Sequence, residues 1–539
     1  MIRVPIAACR VAVPGRVRRP AAIALLALGS LLSACTTVRP PPETAVDDVA
    51  PALARAGATS VFGPPEDYLG SGYDDVGKVG LYPVRDPAAC EVAILDSGEG
   101  SFAARVAMLK RATRSIRIQA LVFNGDEAGL RIAELLKQKK AEGLDVRVIV
   151  DAFSNPRLQS QWLYFDLKQH GIEVEGYEAL GLQWLNEVPV PGLMPHYDPA
   201  RMDKRFHEKL WIIDAETAHG VAVTGGLNIG NEYFRVDPRD PAAYWRDQDV
   251  AVRGAVLQDL VAAFERSYEY LTAIKRSRGV FNTDHYWKAT RHVLAGTGTV
   301  PLHFSTDAVR QARVAELEGG TQALDFRGAR CRFLHNRPRF GESYILQAYL
   351  KLIGSAREQL QIANAYFVPT PAIAAALKAA ASRCVSVLLL SNSPETNDLP
   401  EITLVGRGHY KELLAVNETA AVRACRNPDA GIRIWEWVGQ APGDPVRQGT
   451  MHSKFAVVDR RVALVGSYNL DPRSERLNSE TALVFEDAPL ADALARAILE
   501  HDLRYSRPMS LSDALEFEAP GEVIIRFRKR LGQLFEAEL

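Results

Sequence analysis

The feature that most constrains this chain of 539 residues is a duplication within it. Segment Phe206–Phe234 contains the pattern His-x-Lys-x4-Asp followed by Gly-Gly-x-Asn, and segment Met451–Ser474 contains the same pattern followed by Gly-Ser-x-Asn. Roughly 0.04 copies of the first pattern are expected by chance at ordinary residue frequencies. Two complete copies therefore indicate two related units in one chain.

The flanks of the two patterns repeat as well. The apolar run ending at Phe123 parallels the run ending at Phe367, and Cys90 parallels Cys331. Equivalent positions are 241 to 245 residues apart, whereas solenoid repeats have periods of roughly 20–50 residues. The sequence therefore predicts a duplicated domain.

Each unit alternates apolar strand patterns with amphipathic helix patterns. Strands are predicted at Asp145–Asp151 and Val385–Asn392, and helices at Gly129–Gly143 and Ala372–Ser382. Alternation of this kind favours α/β layers with buried, largely parallel strands. We therefore expect an α/β fold made of two tandem sandwich domains, related by a pseudo-two-fold axis, with the active site at their interface.

The predicted boundaries follow from the repeat and from changes in composition. They are a signal segment at 1–35, a polar tether at 36–79, a first domain at 80–277, a connecting segment at 278–327, a second domain at 328–508 and a basic amphipathic tail at 509–539.

The N-terminus has the composition of an export signal. Arg16, Arg18 and Arg19 lie just before a short apolar core, Ala21–Ala34, which ends in Leu-Ser-Ala-Cys at Cys35. The core is shorter than the roughly 20 apolar residues of a membrane-spanning helix. The pattern resembles the lipobox of bacterial lipoproteins, which implies acylation of Cys35 and a place on the periplasmic side of the envelope. Thr36 after the cysteine favours the outer membrane, and a plain secretory signal is the alternative.

The remaining cysteines are compatible with export. Cys90, Cys331, Cys384 and Cys425 include no Cys-x-x-Cys pair, which argues against metal or thioredoxin-like sites. In an oxidising compartment they could form two disulfides in three alternative pairings. Buried free thiols are an equal alternative.

Side chains two residues apart on a strand point to the same face. His207 and Lys209 therefore face one way together, as do His452 and Lys454. The Asp of each pattern lies near the predicted end of the strand, where it is expected to brace the motif. These two residues are Asp214 and Asp459.

Two His and two Lys brought to one cleft suit phosphodiester chemistry. One neutral imidazole can attack phosphorus and form a covalent intermediate, and the other can protonate the leaving oxygen and later deprotonate the incoming alcohol. Lys209 and Lys454, with Asn228 and Asn469 as donors, can hold the phosphate oxygens. The residues thus predict a site without a metal or cofactor.

Together these motifs resemble the phospholipase D superfamily, over about 80–507. The resemblance implies that His207 is the nucleophile and His452 the general acid. It also implies a downstream acid that orients each imidazole, and Asp249 and Glu480 occupy matching places. Ser467 belongs to the trailing motif of the second half.

Finer motifs resemble bacterial cardiolipin synthases of the C type. These are Gly225–Phe234, Asn364–Thr370, Ser391–Asp398 and Gly466–Ser474. The resemblance implies transfer of a phosphatidyl group from one phospholipid to the headgroup alcohol of another. Gly226 stands where the general motif has serine, as is usual in these synthases.

Two segments could shape access to the cleft. The aromatic, Pro-rich stretch Leu182–Arg205 leads directly into the first motif and is interpreted as a lipid-facing lip or as an irregular loop packed on the core. The basic apolar stretch Val523–Phe535 would lie on anionic lipid or form a solvated surface helix.

Three function classes compete. The leading prediction is a phosphatidyltransferase or phospholipase D at a membrane surface, with a phospholipid as substrate. The second is a phosphodiesterase acting on nucleic acid, which a net charge of −1 and the lipid-type motifs disfavour. The third is a non-catalytic, lipid-binding envelope lipoprotein, which two intact motifs disfavour. Because both half-sites lie in one chain, a monomer is expected to suffice.

Overall fold

The computed structural model describes residues 60–68, 80–151, 154–155, 157–177, 205–277, 302–320 and 322–518. Cys35 with the signal segment, most of the predicted lip and the stretch Val523–Phe535 lie outside the described residues.

The first domain is built on an eight-stranded sheet. Its order is β4-β3-β2-β5-β6-β7-β1-β8, with β2, β3 and β4 parallel and the other neighbours antiparallel. The strands are β1 (Glu91–Leu95), β2 (Ser115–Ala120), β3 (Asp145–Asp151), β4 (Glu173–Tyr177), β5 (Leu210–Ile213), β6 (Val221–Gly225), β7 (Asp249–Arg253) and β8 (Arg327–Gly328).

The second domain repeats seven strands of this sheet in the same order, and its eighth strand, β16, lies at the opposite edge from β8. Its order is β16-β12-β11-β10-β13-β14-β15-β9, with β10, β11 and β12 parallel. The strands are β9 (Arg330–Asn336), β10 (Gln359–Asn364), β11 (Ser386–Asn392), β12 (Gly431–Trp437), β13 (Lys454–Val458), β14 (Val462–Gly466), β15 (Glu480–Glu486) and β16 (Ser506–Met509). The predicted duplication of an α/β domain is confirmed.

Helices cover the sheets, and polar caps start several of them. Asp126 accepts a hydrogen bond from the Gly129 amide, and Asp307 accepts one from the Val309 amide. The α-helices are α1 (Gly98–Arg111), α2 (Glu127–Ala141), α3 (Leu158–Gln169), α4 (Asn231–Phe234), α5 (Leu257–Ser277), α6 (Ala308–Gly319), α7 (Tyr344–Ser355), α8 (Pro371–Ser382), α9 (Pro400–Arg407), α10 (Tyr410–Leu414), α11 (Ala420–Arg423), α12 (Pro472–Arg476), α13 (Ala488–Arg496) and α14 (Leu511–Glu518).

Among the described residues the apolar core has three large parts and one small cluster, which is formed by Ala365, Tyr366, Val368, Ile402 and Val405. An outer core in each domain fills the space between its sheet and its helices. A central core joins the domains, because residues of both sheets, such as Ile212 of β5 and Phe455 of β13, pack in one cluster. The two sheets therefore form one continuous structure on which a site between the halves can be positioned.

A disulfide links the two domains at equivalent positions. Cys90 is bonded to Cys331, and the two residues are separated by 241 positions, the offset of the internal repeat. A bond between equivalent residues lies on the pseudo-two-fold axis. The second disulfide, between Cys384 and Cys425, lies within the second domain. Of the three pairings that the sequence allowed, this is the one present.

Three predicted boundaries require correction. The predicted tether includes Val61, Phe62 and Tyr68, which are buried in the core of the second domain. Removal of their apolar surface from water stabilises this position of the segment. The predicted connecting segment includes α6, whose Leu317 packs in the core of the first domain. The predicted tail begins with α14, whose Ala514 packs on the second domain.

Within the described ranges, none of the helices combines the length and the apolar character needed to cross a membrane.

Candidate active site

Both catalytic motifs lie where strands of the two halves meet. His207 and His452 precede the first residues of β5 and β13. The amide of His207 donates to the carbonyl of Ser479 in the other half at 2.9 Å, and the amide of His452 donates to the carbonyl of Arg246 at 2.7 Å. The backbone of each half therefore holds the histidine of the other, and the site is assembled across the interface as predicted.

Each imidazole is oriented by a carboxylate of the opposite half. His207 Nδ1 lies 2.8 Å from Glu480 Oε2, and His452 Nδ1 lies 2.8 Å from Asp247 Oδ2. All four side chains are buried. Because Nδ1 is engaged, Nε2 is the nitrogen left for chemistry in both rings.

The assignment of Asp249 as an orienting acid is wrong. Its carboxylate is bound by Arg105 Nη2 at 2.7 Å and by the Ser101 hydroxyl at 3.0 Å, inside the first domain. Asp249 is the first residue of β7, and these contacts engage its carboxylate inside the first domain instead of at His452. The orienting acid is Asp247, two residues earlier.

Strand register identifies Asp247 as the equivalent of Glu480. The Gly226 amide donates to the Gln248 carbonyl, and the Ser467 amide donates to the Thr481 carbonyl. In both halves the acid directly precedes this polar residue. The sequence carried a partial signal, because an acid followed by an uncharged polar residue occurs in Asp247-Gln248 as in Glu480-Thr481, but Asp249 separates the first pair from its apolar run.

The Gly/Ser difference between the motifs has a steric cause. A Cβ at Gly226 would lie 2.3 Å from Asp247 Oδ1, so no side chain fits there. At the equivalent place Ser467 donates a hydrogen bond to Glu480 Oε2 at 2.5 Å. The shorter acid thus pairs with glycine and the longer acid with serine.

The two lysines adopt the same conformation. Lys209 Nζ donates to the His207 carbonyl and Lys454 Nζ donates to the His452 carbonyl, each at 2.6 Å. Both ammonium groups are buried beside the imidazoles. Each lysine is thereby held next to its own histidine, in line with a shared anion site.

The motif aspartates brace the backbone, as predicted. Asp214 accepts hydrogen bonds from the amides of Thr113, Arg114 and Ser115. Asp459 accepts in the same way from the amides of residues 357, 358 and 359. Both aspartates have positive φ values, 53° and 49°, a conformation that such local bonds stabilise.

The motif asparagines are buried, and they differ in their contacts. Asn228 Oδ1 accepts from the Val122 amide, and its Nδ2 donates to the Tyr233 hydroxyl at 2.9 Å. At Asn469 the backbone amide donates to the Ser474 hydroxyl at 3.2 Å. Asn228 therefore also ties the site to the preceding strand.

Aromatic rings surround only one of the two histidines among the described residues. The ring of His452 lies 4.9 Å from Trp245, 5.7 Å from Tyr233 and 6.1 Å from Tyr366, measured between centroids. The Lys454 ammonium lies 5.7 Å from the Tyr366 ring. His207 instead faces Glu480, which two serines bind. The sequence motifs contained no signal for this difference.

Burial dominates the electrostatics of the site. It lowers the pKa of His207 and of His452 well below the usual range, and both lysines add to the effect. It also lowers the pKa of Lys209 to about 7 and that of Lys454 to about 8. An anion bound between the lysines would favour their charged forms.

The orienting acids are shifted in the opposite direction. Burial raises the pKa of Glu480 to about 7, against hydrogen bonds from Ser467 and Ser474 that lower it. Burial, opposed by Lys454 and assisted by the neighbouring Asp249, raises the pKa of Asp247 to about 8. The Asp247–His452 pair therefore holds its extra proton to a higher pH than the Glu480–His207 pair.

In the part of the chain that the structure describes, no group of three or more His, Cys, Asp or Glu side chains is arranged to hold a metal ion. The chemistry proposed below uses side chains alone.

Comparisons with known proteins identify the family of the chain. The family model described as "Cardiolipin synthase, PLD-like domain" matches residues 106–255 and 349–502. A cardiolipin synthase of Geobacillus thermodenitrificans is 27% identical over 441 residues, covering 82% of this chain and 70% of that protein. Cardiolipin synthase A of Pseudomonas aeruginosa is 27% identical over 441 residues, covering 82% and 71%.

The fold also resembles a solved structure. The crystal structure of phosphatidylserine synthase from Haemophilus influenzae Rd KW20 superposes with a TM-score of 0.56 at 15% identity, covering 84% of this chain and 98% of that one. At this identity the likeness concerns the fold.

Proposed function

The chain belongs to the family of cardiolipin synthases built from phospholipase D-like domains, and from this premise we propose that it transfers a phosphatidyl group between phospholipid headgroups through a phosphohistidine. The observation that carries the proposal is the exchange of orienting acids, which presents two imidazole Nε2 atoms from two halves to one site.

His207 is the nucleophile. With Glu480 ionised, Nδ1–H of His207 donates to the carboxylate, and Nε2 carries the lone pair that attacks phosphorus. A new N–P bond forms as the bond to the headgroup oxygen breaks. Above pH 7 the Glu480–His207 pair is largely in this form, because the pKa of Glu480 is about 7.

His452 is the general acid and then the general base. Near neutral pH the Asp247–His452 pair retains an extra proton, because the pKa of Asp247 is about 8. That proton leaves His452 Nε2 for the departing headgroup alkoxide. In the second half of the reaction Nε2 takes a proton from the acceptor alcohol, which attacks phosphorus and releases His207.

Lys209 and Lys454 stabilise the phosphate. Their ammonium groups flank the two histidines, and a phosphodiester anion compensates the charge that burial disfavours. Binding of the anion restores the charge of both lysines. The charged lysines then stabilise the transition state more than the bound substrate, because more negative charge lies on the equatorial oxygens in the transition state.

Limited exposure favours transfer over hydrolysis. His207 is 5% exposed and His452 is 3% exposed, so few water molecules reach the phosphohistidine before an alcohol does. The homologues are named cardiolipin synthases, which supports a phospholipid acceptor rather than a nucleic-acid substrate.

The direct test uses the purified full chain with phosphatidylglycerol as the sole lipid. We expect a diphosphatidyl product together with released glycerol, identified by mass spectrometry, and full activity in the presence of a chelator. The His207→Ala variant serves as the inactive control. Phosphatidic acid as the sole product would indicate hydrolysis, and no turnover of any phospholipid would refute the proposal.

We also propose that Cys35 is acylated and that the enzyme lies on the periplasmic side of the outer membrane. The pattern of residues before Cys35 supports this, as do two disulfides, which persist in oxidising compartments. Mass analysis of the mature N-terminal peptide should find diacylglyceryl-Cys35. An unmodified peptide that begins at Met1 would contradict it.

A further inference from the structure

Two exposed leucines stand at equivalent positions of the two domains. Leu158 begins α3, and Leu399 immediately precedes α9. They are 241 residues apart, the same offset as between the linked cysteines Cys90 and Cys331. Leu158 is 59% exposed and Leu399 is 49% exposed, which makes them the two most exposed large apolar side chains in the described ranges.

Both leucines lie on the edge of the molecule that carries the active site. Each follows by seven residues the last residue of the central parallel strand, Asp151 of β3 or Asn392 of β11. Asp151 Oδ2 accepts from the Phe206 amide, directly before His207. Asn392 binds the backbone of Met451, directly before His452, at 2.6 and 2.9 Å.

An exposed leucine is unremarkable when it occurs alone. Here two occur at equivalent sites, one on each side of a pseudo-two-fold axis that passes through the catalytic interface. Both copies of the domain therefore carry a large apolar side chain at a position where the fold does not bury one. Such a pair suits contact with an extended apolar surface that reaches both domains at once.

We infer that Leu158 and Leu399 are the points at which the enzyme enters the surface of a phospholipid bilayer, one on each side of the active site. This inference rests on the proposed function, which supplies the occupant, because the acyl chains of the substrate are held in a bilayer. Leucine side chains gain free energy when they move from water into the acyl-chain boundary. Contact at these points would place headgroups beside His207 and His452.

Charge plays little part in this contact. Arg157 adjoins Leu158 and Asp398 adjoins Leu399, and both residues are exposed. The cation and the anion offset each other, so the contribution of the two leucines is expected to differ little between neutral and anionic bilayers.

The test compares a bilayer substrate with a dissolved one. Turnover by the full chain is measured on phosphatidylglycerol vesicles and on dihexanoyl phosphatidylglycerol below its micelle concentration. The double variant Leu158→Ser/Leu399→Ser should lose on the order of tenfold to a hundredfold on vesicles and keep wild-type turnover on the dissolved lipid. Leu515→Ser is the matched control, since Leu515 is 46% exposed but lies on α14.

The outcomes separate the two proposals. Equal losses on both substrates, or no loss on vesicles, would overturn the inference, and an effect of Leu515→Ser as large as that of the double variant would do so too. No wild-type turnover of either lipid would instead refute the proposed function. Quenching by brominated acyl chains supplies a readout without activity: Leu158→Trp and Leu399→Trp should show added quenching, and Leu515→Trp should not.

Discussion

The two halves of the site have the same backbone and different surroundings. On one side Glu480 holds His207 and receives hydrogen bonds from Ser467 and Ser474. On the other side Asp247 holds His452 next to a glycine.

Further differences between the surroundings of the two histidines accompany this one. Three aromatic rings surround His452, and Asp249 lies near enough to Asp247 to raise its pKa. Tyr233 of the first half and Ser474 of the second half occupy equivalent positions. Each lies seven residues after the position that is glycine in one motif and serine in the other.

The difference teaches how a duplicated site acquires two roles. Hydroxyl donors favour the ionised acid and therefore the nucleophilic form of His207, whereas apolar rings and a neighbouring acid favour the protonated pair at His452. Pairs of titratable groups whose environments separate their pKa values serve as base and acid. Here the separation comes from the two serines that bind Glu480 and from Asp249 beside Asp247.

Replacement of either histidine should have the largest effect. His207→Ala and His452→Ala should each lower turnover of phosphatidylglycerol by on the order of 10²-fold or more. A substrate whose leaving group is p-nitrophenol separates the two variants, because that phenolate leaves without a proton. His452→Ala should then release one phenolate per enzyme in a burst and stall, and His207→Ala should show none. Equal behaviour of the two variants would contradict distinct roles.

The two aspartates of the first half should respond in different ways. Asp247→Asn removes the carboxylate that fixes His452 and should lower turnover at least tenfold while the melting temperature changes little. Asp249→Asn breaks the buried ion pair with Arg105 and should destabilise the fold by about 3–5 kcal/mol. Thermal unfolding of each variant and the pH profile of turnover by its folded protein distinguish the two effects. A stable Asp249→Asn protein with an altered pH profile would reverse our assignment.

Much of this architecture could be predicted from the sequence, because the duplication is long and its strands are strongly patterned. β3 spans the predicted Asp145–Asp151, and β11 starts one residue after the predicted Val385. The bracing role of Asp214 and Asp459 also follows from the motif, since each aspartate lies near the end of its strand at an odd number of positions from the histidine and so does not share its face.

The rest depended on contacts that spacing does not reveal. The error at Asp249 came from aligning the two acids by their place before an apolar run, where a shift of two residues preserves the side of a strand. The aromatic rings around His452 come from three separate segments of the chain, so no local pattern joins them. The burial of Tyr68 is likewise not visible in the sequence. Its hydroxyl donates to the Val61 carbonyl, which belongs to no motif, and its ring packs under the guanidinium of Arg332, which is distant in sequence.

The smallest effect concerns pH. The value of kcat/KM should fall below pH about 7, where the Glu480–His207 pair gains a proton, and above pH about 8, where the Asp247–His452 pair loses one. Ser467→Ala removes a hydrogen bond that favours ionised Glu480, so its pKa rises and the acid limb moves to higher pH. A bond worth about 1 kcal/mol moves the limb by about 0.7 pH unit. A shift of the alkaline limb alone would contradict this.

The central claim, that His207 carries the phosphatidyl group, is tested most directly by trapping the intermediate. A short-chain phosphatidyl ester of p-nitrophenol, whose leaving group needs no proton, is mixed with the His452→Ala variant, the reaction is quenched in alkali, where phosphohistidine survives, and the peptides are mapped by mass spectrometry. We predict a phosphatidyl adduct on the peptide that contains His207, and none when His207 is also replaced by alanine. An adduct on the peptide of residue 452 in the His207→Ala variant, with His207 unmodified in the wild type, would contradict the account.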